Sequence, residues 1–198
     1  MARKIGSHAD ITGPKVRSAA LTLFARHGFA SVTMRQIAAE VGVQAGALYL
    51  YTPDKQSLLF DLLKEHMEEV LNGVSAVPAN GTPRNRLDAF TRFHIRFHLE
   101  RREAVFISYM ELRNLSPVNF AELEKMRRQY EDTLEAILID GQTDGCFDVA
   151  DTKLTTLAII AMLNGVTNWY HPDGRLSLDE VEAIFAQMVG KAVRADVP

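Results

Sequence analysis

The sequence predicts an all-α fold of about nine helices. Apolar residues recur at spacings of three and four along most of the chain, which is the pattern of helices with one buried face. No segment shows a convincing alternation of apolar and polar residues, so strands are not expected. Two capping boxes, Thr33 to Gln36 and Ser177 to Glu180, mark helix starts directly. These observations favour an N-terminal three-helix head followed by a larger helical body.

The first helix of the head is expected to begin at Thr12 or Gly13, because Pro14 suits a first turn. Apolar residues at helical spacing then continue toward Gly28, which is expected to end the helix as a C-cap. The head therefore opens with one amphipathic helix.

Two short helices follow in the head. Thr33 opens the first of them, Gly42 makes a tight turn, and residues from about 44 to 50 form the second. Pro53 biases the preceding residue away from helix, and Asp54 is suited to capping the next helix. The head therefore ends near residue 52, and we predict domains at 1–52 and 53–198.

The body is predicted to hold six further helices, each bounded by turn or capping residues. Their approximate ranges are 54–71, 84–97, 103–114, 117–143, 151–170 and 177–192.

Charge divides the chain in the same place. The net charge of the whole sequence is −3, which taken alone argues against binding to nucleic acid. Residues 1–55, however, carry a net charge of +4, and residues 56–198 carry −7. A basic head on an acidic body indicates that the head meets an anionic partner.

Other classes are excluded by composition. The chain has one cysteine, Cys146, so neither an intrachain disulfide nor a cysteine-based zinc site is expected. No apolar export segment follows Arg3 and Lys4, and no apolar stretch approaches the roughly 20 residues of a membrane helix. We expect a soluble, cytoplasmic protein with no membrane partner.

The segment 33–51 has the spacing of a helix-turn-helix, two short helices joined by Val41-Gly42-Val43. The second helix has small residues at its start, so it can approach base edges closely in the major groove, as a recognition helix does. Outward-facing positions are the candidates for contact with double-stranded DNA: Arg35, Gln44, Ala45, Gly46, Tyr49 and Tyr51.

Here the sequence resembles the N-terminal domain of TetR-family transcriptional regulators. The resemblance covers about residues 12–60 and rests on many positions at fixed spacing: Thr33-Met34-Arg35-Gln36-Ile37-Ala38, Val41-Gly42-Val43, Gly46, Leu48-Tyr49, Tyr51, Pro53, Lys55 and Leu58-Leu59. It implies that residues 44–50 face the major groove. It also implies phosphate contacts by Thr33, Tyr49, Tyr51 and Lys55.

The resemblance also implies a regulator that responds to a ligand. Such proteins are homodimers whose last two helices form a four-helix interface, and here Leu154 to Trp169 include small side chains that allow a second helix to approach. A ligand in the body tilts the helix that joins it to the head, about Asp54 to Leu71, and releases a palindromic operator. Repression of an operon is the family tendency.

Effector contacts are expected from an aromatic cluster in the middle helices and from polar residues of the apolar helix. These candidates are Phe90, Phe93, His94, Phe97, Phe106, Tyr109, Met110, Asn164, Asn168 and Trp169. Two local segments, Glu111 to Pro117 and Asn168 to Gly174, look like those of TetR-family regulators of fatty-acid, branched-chain or steroid catabolism. Several of these respond to acyl-CoA thioesters, so a small apolar effector such as an acyl-CoA is the hypothesis.

Alternatives remain open at this point. His94 and His98 stand four residues apart, a spacing that can bind metal, so a metal-responsive regulator is one alternative. A helical adaptor that does not bind DNA is another. No phosphate-binding glycine loop, nucleophile elbow or paired-carboxylate signature is found, so we expect no enzyme activity, no catalytic residues, no metal and no cofactor.

Overall fold

The computed structural model describes residues 6–193, with side chains from residue 12 onward. Within this range the chain forms ten α-helices and two 3-10 turns, and none of these residues lies in a strand. The α-helices are α1 (Gly6–His27), α2 (Met34–Val41), α3 (Ala45–Leu48), α4 (Lys55–Val74), α5 (Pro83–Leu99), α6 (Arg102–Met110), α7 (Pro117–Thr143), α8 (Thr152–Asn164), α9 (Val166–Trp169) and α10 (Leu178–Ala192). The 3-10 turns are Phe29–Ser31 and Leu112–Asn114. The all-α class predicted from the sequence is confirmed.

The structure has ten α-helices where about nine were predicted, since one predicted helix is divided at Gly165. The segment predicted as one helix over 151–170 consists of α8 and α9, with Gly165 between them. Gly165 keeps right-handed helical backbone angles (φ −55°, ψ −27°), and its N–H donates to the Ala161 carbonyl at 3.3 Å, as in a continuing helix. The Asn168 N–H donates to the Gly165 carbonyl at 3.2 Å, three residues away, so α9 follows α8 through one tighter turn.

The predicted start of α1 is wrong. The helix begins at Gly6, and Pro14 lies inside it. A proline removes its own main-chain N–H, but the neighbouring turns keep their hydrogen bonds, so a helix can continue through it at some cost in stability.

The third helix of the head is shorter than predicted, since α3 ends at Leu48. The Leu50 N–H donates to the Ala47 carbonyl and the Tyr51 N–H donates to the Leu48 carbonyl, so this stretch follows the tighter spacing of a 3-10 turn.

Most of the other capping signals act as predicted. Thr33 and Ser177 each form a complete capping box. Gly42 ends α2 at a φ of 76°, in the left-handed region that favours glycine. Asp54 accepts a hydrogen bond from the Ser57 N–H at 2.7 Å and so caps α4.

The chain separates into two compact units. The first contains the residues up to Met67 together with Glu103–Glu124, and the second contains Glu68–Arg102 together with the chain from Lys125 onward. Helices α4 and α7 each contribute to both units. The compact units therefore differ from the predicted domains 1–52 and 53–198, and that boundary stays a prediction about function.

The first unit has a continuous apolar core. It comprises side chains of α1, of the two helices that follow, and of the start of α4: Val16, Ala20, Phe24, Ile37, Ala38, Leu48, Leu58, Leu59 and Leu63. At the edge of this core an Arg17 guanidinium nitrogen of α1 lies 3.0 Å from the Glu65 carboxylate of α4. The packing of these four helices and the ion pairs of Arg17 with Asp61 and Glu65 hold the first unit together.

The second unit is built around α5, which packs against α8, α9 and α10. Its fully or nearly fully buried apolar residues include Phe90, Ile95, Leu134, Leu138, Ile159, Leu163 and Val189. Arg96 of α5 forms two 2.9 Å hydrogen bonds with the buried Glu182 carboxylate of α10, which fixes these two helices against each other.

Among the residues that the structure describes, no helix is both long and apolar enough to cross a bilayer.

Candidate DNA-binding face and effector-binding residues

The helix pair α2–α3 is stabilised by a few buried apolar side chains on its inner side. Ile37 and Leu48 are completely buried, and Ala38 is nearly so. The Val43 N–H donates to the Ala38 carbonyl at 2.9 Å just after the left-handed Gly42. The two helices are therefore joined rigidly at a sharp turn, as a helix-turn-helix requires.

The predicted DNA contacts lie mostly on the outside of this pair. Thr33, Arg35, Gln44 and Gly46 are exposed, and the Tyr49 side chain is 58% exposed. Ala45 is half-buried. The outward positions therefore come from α2, α3 and the turn that follows α3.

Leu50 is an exposed residue that the candidate set omits. Its side chain is 81% exposed, more than that of any other large apolar residue described in the first unit. The sequence could have indicated Leu50, because it belongs to residues 44–50, which the family resemblance places at the major groove.

Gly46 stands at an open position in α3. A Cβ built there would meet no atom within 4 Å, and its backbone is not in the left-handed region. Nothing inside the protein requires a glycine here, although glycine costs about 1 kcal/mol in a helix.

Tyr51 and Lys55 are tied to the protein more closely than predicted. The Tyr51 ring is half-buried against Gly13 of α1. The Lys55 ammonium donates to the Phe29 carbonyl at 2.8 Å and to the Val32 carbonyl at 2.7 Å, and it lies 4.2 Å from the centre of the Phe29 ring. Burial lowers the pKa of Lys55, and the Glu111 carboxylate opposes this effect. Lys55 thus binds main-chain carbonyls, with one ammonium proton left over.

Glu111 is a buried carboxylate to which the sequence reasoning assigned no role. It accepts a hydrogen bond from the Phe29 N–H at 3.1 Å and one from the Asn114 side-chain amide at 2.5 Å. The Gln56 side chain donates to the Asn114 carbonyl. Glu111 therefore links the turn after α1 to the turn after α6, and Gln56 joins the start of α4 to the same turn through Asn114.

The second unit contains seven of the ten predicted effector residues, and two of these belong to its interior. Phe90 and His94 are completely buried. The His94 Nε2–H donates to the Asn164 side-chain oxygen at 3.1 Å, and the Tyr130 hydroxyl donates to His94 Nδ1 at 2.7 Å. Burial holds the pKa of His94 well below its usual range, and the nearby His98 ring adds to this. His94 is a neutral member of a buried hydrogen-bond chain.

The other five residues of this group have accessible surface. Phe93 and Phe97 are half-buried and lie against each other with ring centres 5.2 Å apart and ring planes tilted by 38°. Gly73 lies beneath them, since a Cβ there would come within 2.9 Å of the Phe93 ring. Asn164 is half-buried, and Asn168 and Trp169 are exposed.

The three remaining effector candidates belong to the first unit. Phe106, Tyr109 and Met110 lie on α6, and all three side chains are exposed.

The metal alternative is not supported. Both ring nitrogens of His94 are used in hydrogen bonds, and the His98 Nδ1–H donates to the His94 carbonyl at 2.7 Å. Within residues 6–193 no group of three or more His, Cys, Asp or Glu side chains is arranged to hold a metal ion.

Helices α8 and α10 of the second unit both carry exposed apolar side chains. These are Leu154, Leu157, Ala158, Ala161, Ile184 and Met188. Leu154 is 66% exposed. Helices α8 and α10 both pack on α5, and the exposed apolar side chains that they carry are suited to association with another surface.

Both parts of the chain match models of one protein family. Residues 16–62 match "Bacterial regulatory proteins, tetR family", and residues 80–193 match "Tetracyclin repressor-like, C-terminal domain". The second match alone covers more than half of the 198 residues.

Similar proteins cover nearly the whole chain. The HTH-type transcriptional repressor KstR2 of Rhodococcus jostii strain RHA1 is 25% identical over 178 residues, which are 86% of this chain and 85% of the relative. The crystal structure of a tetR-family regulatory protein from Rhodococcus RHA1 has a TM-score of 0.86 and 27% identity, covering 92% of this chain and 96% of that chain. AibR in complex with isovaleryl coenzyme A and operator DNA has a TM-score of 0.82 at 24% identity, covering 93% and 99%, and shares the fold.

A helix-turn-helix head on an all-helical body defines a DNA-binding transcriptional regulator of the repressor type, not an enzyme. The chain belongs to the TetR family of bacterial regulatory proteins.

Proposed function

We propose that the protein is a homodimeric repressor that binds a palindromic operator through α2–α3 and leaves it when an acyl-CoA thioester binds. The observation that carries this is the family match over both parts of the chain, together with relatives whose names include a transcriptional repressor and a complex with isovaleryl coenzyme A and operator DNA.

DNA recognition is assigned to the exposed face of the helix pair. Gln44, Ala45 and Gly46 at the start of α3 approach base edges, because small side chains allow the helix to enter the major groove deeply. Thr33, Arg35, Tyr49 and Tyr51 bind the flanking phosphates. Lys55 donates a hydrogen bond from its remaining ammonium N–H to a phosphate oxygen, while its other two N–H groups bind the turn after α1.

Dimerisation is assigned to the exposed apolar face of α8 and α10. Burying Leu154, Leu157, Ile184 and Met188 against a second copy removes apolar surface from water, at about 25 cal/mol per Å². A twofold dimer then places its two recognition helices about one DNA turn, ~34 Å, apart.

Contacts with the effector are assigned to those candidate residues whose side chains have accessible surface. In the second unit these are Phe93, Phe97, Asn164, Asn168 and Trp169. In the first unit they are Phe106, Tyr109 and Met110. Phe90 and His94 contribute to the core beneath the second-unit residues and have no exposed surface for a ligand in this conformation.

Release from DNA follows from linkage. An effector that binds the DNA-incompetent conformation more tightly lowers operator affinity by the ratio of its two affinities, typically 5–150-fold or about 1–3 kcal/mol. Helix α4 belongs to both units, so its tilt is the proposed route of coupling.

The experiment begins with an operator selected from a random duplex library by the purified protein. Binding is measured by fluorescence anisotropy while acyl-CoA thioesters of increasing chain length, including isovaleryl-CoA, are added. At least one thioester should weaken operator binding by about fivefold or more, whereas free coenzyme A should not. If no thioester changes the affinity, the effector class is wrong; if no duplex is selected, DNA recognition is wrong.

A matched variant separates the two activities. Tyr49→Ala should lose operator binding but keep thioester binding, because Tyr49 lies on the outside of the helix pair.

The dimer is tested by light scattering. The parent should have twice the chain mass of 22.1 kDa, and Leu157→Glu with Met188→Glu should return the mass of one chain. Val118→Glu is the control, since Val118 is 78% exposed on α7 in the first unit. A parent that scatters as a single chain at micromolar concentration contradicts the proposal.

A further inference from the structure

A cavity of about 620 Å³ lies in the second unit, between the first half of α5 and the last half of α10. Its volume is in the range of small-molecule sites, about 300–1,000 Å³. None of the ten predicted effector residues lines it. The cavity is therefore a separate feature of the molecule.

The cavity is lined by apolar side chains and, along α10, by small residues. Leu87 and Phe147 are the buried apolar residues of this lining. Ala183, Ala186 and Gly190 line the α10 side, and a Cβ at Gly190 would meet no atom within 4 Å. Small side chains on one side of α10 leave the space that a ligand's apolar part can fill.

Four charged residues line the cavity, and two of them neutralise each other. The Arg92 guanidinium donates to the Asp88 carboxylate at 2.8 Å. Arg84 and Lys191 have no carboxylate within 4.0 Å among the residues that the structure describes. The cavity therefore has an excess of positive charge, although the whole chain has a net charge of −3.

The position of Arg84 strengthens this excess. Arg84 directly follows Pro83 at the N-terminus of α5, where the helix dipole is itself positive. A cation there is unfavourable by itself, and an anion is attracted by both the guanidinium and the helix end. An anionic headgroup bound near Arg84 and Lys191 satisfies both charges.

We propose that this cavity binds an anionic amphiphile, a small molecule with a carboxylate or phosphate headgroup and an apolar body. The headgroup binds Arg84 and Lys191, and the apolar body packs on Leu87, Phe147 and Ala186. The site is independent of the operator and of the proposed effector residues, so it stands or falls separately from the proposed function.

The experiment compares probes with one alkyl chain and different headgroups. Decanoate, decyl phosphate, decanol and decyltrimethylammonium are titrated below their micelle concentrations in a calorimeter. Decanoate or decyl phosphate should bind with a Kd below about 1 mM, decanol about tenfold more weakly, and the cation not measurably. The two anions distinguish a carboxylate ligand from a phosphate ligand.

Variants locate the site. Arg84→Glu combined with Lys191→Glu should weaken binding of the anion about tenfold or more, and Ala186→Phe should weaken all amphiphiles by filling the cavity. Lys125→Glu is the control for charge reversal, because Lys125 is exposed on α7 and does not line the cavity. Gly190→Leu fills the same space independently if Ala186→Phe does not fold.

A direct readout uses alanine methyl groups labelled with ¹³C. Addition of decanoate should shift the methyl signals of Ala183 and Ala186 but not those of Ala158 and Ala161, which lie on the exposed face of α8. Equal binding of anion and cation, binding unchanged in both the charge and filling variants, or no binding of either anion at about 1 mM would each overturn the proposal.

Discussion

Two glycines inside helices show how differently the two regions of this molecule are built. Gly46 of α3 faces open space, and a Cβ there would touch nothing in the protein. Gly141 of α7 is buried, and the Phe147 ring occupies the space where its Cβ would lie. Both residues lower helix propensity by about 1 kcal/mol relative to alanine. Gly141 is therefore required by the packing of the second unit, whereas no contact within the described residues requires a glycine at position 46.

The largest expected effect tests the packed glycine. Gly141→Ala should lower the free energy of unfolding by about 2–3 kcal/mol, because the new methyl group must displace the Phe147 ring. Urea unfolding followed by circular dichroism measures it. Gly46→Ala is the matched substitution in open space, and an equal loss in the two variants would contradict the comparison.

A second prediction asks how strongly the interior of the first unit depends on one buried group. Glu111→Ala should lower the free energy of unfolding by about 2 kcal/mol, because the Phe29 N–H and the Asn114 amide lose their acceptor. Glu122→Ala is the control: Glu122 forms an exposed ion pair with Lys64, and exposed pairs contribute about 0–1 kcal/mol. Equal stability of the two variants in urea would show that the Glu111 contacts are not needed.

The open glycine gives the third prediction, in which stability and function move in opposite directions. Gly46→Ala should raise the free energy of unfolding by up to about 1 kcal/mol through helix propensity. It should weaken operator binding by about tenfold, about 1.4 kcal/mol, because the methyl group stands between α3 and the base edges. Fluorescence anisotropy with the selected operator measures the affinity. An unchanged affinity would show that Gly46 does not lie close to the base edges.

The smallest expected effect is the pH dependence that the buried hydrogen-bond chain around His94 gives to the free energy of unfolding. His94 is neutral in the folded protein because burial lowers its pKa, whereas in the unfolded chain its pKa is about 6.5. Below about pH 6.5 the unfolded chain binds a proton that the folded protein does not, so stability falls by at most about 1.4 kcal/mol per pH unit. His94→Gln should show a shallower decline between pH 7 and about pH 5.5.

The control for the pH experiment is His171→Gln, since His171 is exposed. It should keep the slope of the parent protein. Parallel slopes for the parent and His94→Gln would place the pH dependence elsewhere.

Features that depend on neighbouring residues could be predicted from the sequence. The two capping boxes, the left-handed Gly42 and the Asp54 cap need only a few consecutive residues, and the structure has all of them. The start of α1 could not be predicted in this way, because Pro14 permits either a first turn or an interior position.

Contacts between distant segments could not be predicted. The Phe29 N–H and the Glu111 carboxylate are 82 residues apart, and nothing in either local sequence indicates the other. The same holds for His94, Tyr130 and Asn164, whose hydrogen bonds form only when α5, α7 and α8 pack together. Lys55 was predicted as a phosphate contact, but the fold gives its ammonium two carbonyl acceptors, which only the tertiary structure brings near.

Trp169 gives the molecule a built-in spectroscopic probe. It is the one tryptophan of the sequence; its side chain is 55% exposed, and its ring stacks on Phe185 of α10 with centres 6.1 Å apart. All indole emission of the chain therefore arises from one place, where the short α9 meets α10. Its wavelength and its quenching by a dissolved ion report the solvation of that place alone, with no label attached.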